Sequence, residues 1–102
     1  NLRMMLDPVN LLDISNYENQ DEIIREAIEL LQEEIAVVHI KDFVVEHGQL
    51  KSVAAGNGLM NYERLLSYLK HNKPYIQATL ENTNPENATT AREHIQAIWQ
   101  QV

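Results

Sequence analysis

Three short apolar runs alternate with three amphipathic segments, and this alternation constrains the chain more than any other feature. Residues 2–7 (Leu-Arg-Met-Met-Leu-Asp), 36–42 (Ala-Val-Val-His-Ile-Lys-Asp) and 75–81 (Tyr-Ile-Gln-Ala-Thr-Leu-Glu) read as strands. The first must stop at Pro8, which has no N–H for a sheet ladder. Residues 10–19 read as a polar loop. In 20–34, Ile23, Ile24, Ala27, Ile28 and Leu31 recur with a helical period, and Asn19 with Glu22 resembles a capping box. Residues 43–60, with Gly48, Gly56 and Gly58, read as a long connection. Tyr62, Leu65, Leu66 and Leu69 mark a second helix over 61–71, broken at Lys73-Pro74. Asn84-Pro85 is a cap and first-turn pair for a third, with Ala91, Ile95, Ile98 and Val102 on its inner face. The β-α-β-α-β-α order predicts right-handed crossovers onto a parallel sheet, an α/β fold in a single unit over 1–102.

Composition narrows the function. The 102 residues carry 8 Lys+Arg against 15 Asp+Glu, a net charge of −7. Nucleic-acid binding needs the opposite balance and is not expected. With no Cys, disulfides and thiolate metal sites are excluded, leaving oxygen and imidazole donors. The apolar runs are too short for a membrane-spanning helix, no membrane association is expected, and no secretory signal is visible, so a cytoplasmic location is expected. The chain opens with Asn1 and passes at once into a strand-like run, so a piece of a longer polypeptide is expected.

Each predicted strand ends on an ionisable residue. Side chains alternate faces along a strand. Arg3, Met5 and Asp7 therefore share one face, as do Val37, His39 and Lys41, and Tyr75, Gln77, Thr79 and Glu81. The opposite faces (Met4 and Leu6; Val38 and Ile40; Ile76, Ala78 and Leu80) are apolar and belong against the helices. The carboxyl ends of parallel strands are where α/β folds build sites. Asp7, His39 and Glu81 there would suit Mn²⁺, Mg²⁺, Co²⁺ or Zn²⁺. Taken singly, a strand-end acid also caps helices or faces solvent, and a strand histidine also packs in a core; the matching faces and ends favour a shared site. Lys41 could equally form an inward salt bridge. His47, His71 and His94 read as surface residues and Trp99 as packing. Gly56-Asn57-Gly58 lacks the register of a nucleotide-binding loop, and the sequon Asn87-Ala88-Thr89 reads as chance.

The runs Leu6-Asp7-Pro8-Val9-Asn10-Leu11-Leu12, Val38-His39-Ile40-Lys41-Asp42, Gly56-Asn57-Gly58 with Tyr62 to Leu69, and Leu80-Glu81-Asn82 together resemble the C-terminal part of the xylose-isomerase-like TIM barrel superfamily. The nearest members are the sugar and sugar-phosphate isomerases and epimerases. The resemblance implies the last three βα units of a (β/α)8 barrel. It implies a divalent metal held by Asp7, His39 and Glu81, with a fourth ligand, a Glu, on a preceding strand outside this sequence. Glu81 would also be one of two proton-transferring carboxylates in an enediolate mechanism. Asn10 falls where several epimerases carry a substrate-contacting His, and Val45 replaces an Arg found in some members. Lys41 and Asp42 would hydrogen-bond substrate or orient His39. The implied function is metal-dependent isomerisation or epimerisation of a sugar or sugar phosphate, with this chain alone inactive and associating as a homo-oligomer. The alternatives are inosose dehydratase, hydroxypyruvate isomerase or abasic-site endonuclease chemistry on the same barrel, or a noncatalytic assembly role.

Overall fold

A computed structural model of the chain describes residues 4–102. Its order is β1 (Met4–Leu6), α1 (Gln20–Leu31), β2 (Ile35–Ile40), β3 (Asp42–Glu46), β4 (Gln49–Val53), α2 (Glu63–Asn72), β5 (Gln77–Leu80) and α3 (Ala88–Gln101). Strands β1, β2 and β5 form one parallel sheet in that order, with β2 in the middle. The expected α/β architecture with three parallel strands is therefore present. Leu2 and Arg3, assigned above to the first strand, lie outside the described residues.

The apolar faces of β1 and β2 meet the helices as alternation requires, but that of the edge strand β5 does so only in part: Ile76 and Leu80 are half-buried against the core and Ala78 is exposed. Leu6, Val38 and Ile40 are buried and pack in one core with Ile24 and Ile28 of α1 and Leu65, Leu66 and Leu69 of α2. Fully burying one such side chain is worth about 1.5–3 kcal/mol, so the cluster carries much of the stability. α3 covers the sheet less completely. Ala91 is buried, whereas Ile95, Ile98 and Trp99 are half-buried against the core.

Residues 43–60 are not the long connection expected. Strands β3 and β4 pair as an antiparallel hairpin, Asp42 opposite Val53 and Glu46 opposite Gln49. The two-residue turn has φ of 54° at His47 and 73° at Gly48, the paired positive values of a type I′ turn. Gly48 takes this conformation without a side-chain penalty, and histidine is among the few residues that visit it. The hairpin starts one residue beyond Lys41, so the polypeptide leaves the parallel sheet immediately after the residues that form the site.

Element ends also differ. No side-chain cap forms at Asn19; a 3-10 turn over Tyr17–Asn19 leads into α1, so the expected capping box is absent. α3 begins at Ala88, because the Asn84 side chain accepts the N–H groups of Glu86 and Asn87 and closes a separate turn first. Pro74-Tyr75 forms a turn, Tyr75 is almost wholly exposed, and β5 starts only at Gln77.

Candidate metal centre

Register brings the three strand-end groups together. Leu6 lies opposite Val38, which sets Asp7 level with His39. Ile40 lies opposite Leu80, and the Glu81 N–H donates to the Ile40 carbonyl at 2.9 Å, which sets Glu81 level with Lys41. Parallel strands about 4.8 Å apart then place all four side chains on one face, within reach of one another.

One ligand-capable atom from each of Asp7, His39 and Glu81 lies within 4.8 Å of the other two; among the described residues, this is the one such group. His39 Nδ1 is 2.9 Å from Glu81 Oε2. The side chains are partly shielded, 12% exposed for Asp7, 20% for His39 and 32% for Glu81. Asp7 Oδ1 is buried and has no hydrogen-bond partner. A buried carboxylate oxygen without a donor is costly, and a cation would satisfy it. Two carboxylates and an imidazole are also a donor set that Mn²⁺, Co²⁺ and Zn²⁺ accept. The residues present thus fit a divalent cation.

Asp7, Asn10, His39, Lys41 and Glu81 line a cleft of about 480 Å³ whose apolar wall includes Met5 and Leu11. Lys41 Nζ lies 3.2 Å from Asp7 Oδ2 and 3.9 Å from Glu81 Oε1, and it donates to Asn10 Oδ1 at 3.3 Å. The inward salt bridge weighed for Lys41 is therefore present, and the same side chain lines the cleft. Asn10 is brought to the site by the 3-10 turn Pro8–Leu11.

Asp42 is not. It is 1% exposed, on the helix side, where Oδ1 accepts the N–H groups of Phe43 (2.8 Å) and Met60 (2.8 Å) and Oδ2 that of Gly56 (3.0 Å). Its expected role as a substrate or His39 contact is replaced by a structural one. The loop 56–60 wraps this carboxylate instead of a phosphate. Of the other histidines, His47 and His71 are exposed as expected, but His94 is half-buried against Gly56.

Tyr62 is a residue that sequence reading left as simple core. Its hydroxyl accepts the Lys41 N–H at 3.0 Å and donates to the Lys41 carbonyl at 2.7 Å. Burial raises the Tyr62 hydroxyl pKa well above the usual tyrosine range; the Lys41 backbone hydrogen bond opposes this, and the charges of Asp7, Asp42 and Glu81 add to it. It therefore stays protonated and pins the backbone of the site lysine. A tyrosine is a heavier choice than leucine for a wholly apolar position, and that was the available signal.

A larger groove, about 630 Å³, runs between α1 and α2 and includes Arg25, Glu29, Arg64 and Tyr68. Arg25 is held by Glu22 and Glu29 at 2.8 Å each, so its charge is already spent on neighbouring turns of its own helix. No family model matches the chain, and no curated protein or solved structure shows significant similarity to it. No described helix is long and apolar enough to cross a membrane.

Proposed function

We propose that the chain contributes three ligands, Asp7, His39 and Glu81, to a divalent metal centre that isomerises or epimerises a sugar or sugar phosphate. The observation that carries this reading is the convergence of one donor atom from each of Asp7, His39 and Glu81 within 4.8 Å of one another, with Asp7 Oδ1 left without a hydrogen-bond partner. Bound there, a divalent cation supplies Lewis-acid polarisation of substrate oxygens next to the carbon that loses its proton. Glu81 is the base within this set: its carboxylate lines the cleft, is more exposed than that of Asp7, and takes a proton from a carbon beside the carbonyl. Asp7 orients the site, and Lys41 and Asn10 offer hydrogen-bond donors to substrate oxygens.

The family resemblance supports a parent (β/α)8 barrel, with a fourth ligand on a preceding strand. The open sheet supports it too. Met5, on the same face as Asp7, is 54% exposed, and Gln77, Ala78 and Thr79 of the edge strand β5 are exposed. Those same features favour a second reading, a noncatalytic unit that associates with another copy through its sheet edges.

Calorimetric titration of Mn²⁺ into the chain, run beside size-exclusion chromatography, separates the two. Binding that is lost in Asp7→Asn and His39→Ala supports the metal centre; a metal-silent oligomer supports assembly. For the chemistry, Mn²⁺-dependent ketose epimerisation is measured in a polypeptide that restores the preceding strands. Glu81→Gln is expected to lower kcat by a factor of about 100 or more. Full activity in that variant removes Glu81 from the reaction.

A further inference from the structure

Lys41 sits where the negative charge of the cleft converges. Its ammonium is within 3.9 Å of Asp7, Asn10 and Glu81, and the side chain is only 12% exposed. The lysine backbone is fixed at both its N–H and its carbonyl by Tyr62 Oη. Its four-carbon stem has rotatable bonds along its length, so a change of rotamer moves the charged end without moving its root. The two oxygens of Asp7 are also unlike: Oδ2 faces the ammonium, and Oδ1 has no partner. A divalent cation drawn to Asp7 and Glu81 would meet a positive charge already among them. Like charges at such separations repel enough to change an equilibrium constant about tenfold or more.

We infer that Lys41 is an internal counter-ion that exchanges with the divalent cation. Without metal, the ammonium offsets the repulsion between Asp7 and Glu81 and holds β1 and β5 against the end of β2. When a cation loads, the ammonium leaves Asp7 and keeps Asn10 Oδ1 as its anchor. The inference rests on the metal reading given above. It adds that the site is never without a cation, and that the lysine sets the threshold for loading. A lysine that served only to align Asp7 for the metal would have the opposite effect on affinity.

The test uses the full chain with Lys41→Met, which retains most of the stem, and Lys41→Arg, which retains the charge. Thermal melting without metal is expected to be lower for Lys41→Met than for the native chain. In Mn²⁺ calorimetry, Lys41→Met is expected to bind roughly tenfold tighter or better, and Lys41→Arg no tighter than native. Binding by Lys41→Met alone supports the exchange in its strongest form. Native binding with equal or weaker binding by Lys41→Met overturns the inference and leaves the metal reading standing. Absence of binding to both folded proteins overturns the two together. Should Lys41→Met fail to fold, the native chain labelled with ¹³C at lysine Cε is titrated with Zn²⁺. A shift of the Lys41 signal on saturation supports the exchange, an unmoved signal at saturation overturns it, and failure of Zn²⁺ to bind overturns both readings.

Discussion

Replacing Asp42 tests whether a buried carboxylate, and not the sequence of loop 56–60, holds that loop to the start of the β3–β4 hairpin. Asp42 accepts three backbone N–H groups from two separate segments, at 2.8, 2.8 and 3.0 Å. Hydrogen bonds to a charged group contribute about 1.5–3 kcal/mol each. Phe43 and Met60 are buried, so their amides cannot turn to water once the acceptor is gone, whereas Gly56 is exposed and can. Two unreplaced bonds give about 3–6 kcal/mol for Asp42→Ala, a large share of the roughly 5–15 kcal/mol that holds a domain together. Asp42→Asn keeps a carbonyl oxygen but loses the charge and turns an NH2 group toward one of the amides. Its cost is about 1.5–3 kcal/mol. Urea unfolding followed by far-ultraviolet circular dichroism reads both changes as a lowered midpoint, ordered native, Asn, Ala. Glu26→Ala, on the exposed face of α1, is the control and stays within about 0.5 kcal/mol. An Asp42→Ala midpoint equal to native refutes the account, because it would mean that the amides find water without strain.

Three further outcomes follow from the geometry. The folded-state pKa of Tyr62 is raised, so its contribution is intact below the unfolded value near pH 10 and is lost as pH climbs above it. Alkaline denaturation of the native chain should therefore carry an extra loss of up to about 1.4 kcal/mol per pH unit that Tyr62→Phe removes. A Cβ at Gly58 would collide with the Phe43 carbonyl and come within 2.5 Å of Asp42 Oδ1, so Gly58→Ala should destabilise by more than about 1 kcal/mol in the same urea assay. His47→Asn, at φ of 54°, should raise the melting temperature slightly, since asparagine accepts the left-handed conformation more readily.

The parallel sheet was legible because period-two alternation and helical stripes are physical signals that survive in a single sequence. Leu6, Val38 and Ile40 read as inward, and they are buried. The same alternation places Asp42 opposite Lys41, and the rule carried one residue further would have taken it out of the site. The hairpin was missed although Phe43-Val44-Val45 and Leu50 to Val53 flank a two-residue His47-Gly48 turn, because glycines in a long connection mask a short strand pair. Asp7, His39 and Glu81 were legible as a set because each lies within one residue of the carboxyl end of a strand, on the polar face. The hydroxyl of Tyr62 on the Lys41 backbone was not, because it joins residues 21 apart through a tertiary contact that no local pattern encodes.

The hairpin also gives the molecule a handle. Its base, Asp42 opposite Val53, is tied into the core, while its tip carries His47, whose side chain is 89% exposed. Four residues of strand separate the two, about 13 Å of rigid ladder. Cargo fused or inserted at His47-Gly48 would be carried clear of the anchoring carboxylate. A fluorophore, an affinity tag or a whole guest domain could ride there while the strand ends that gather Asp7, His39 and Glu81 keep their spacing.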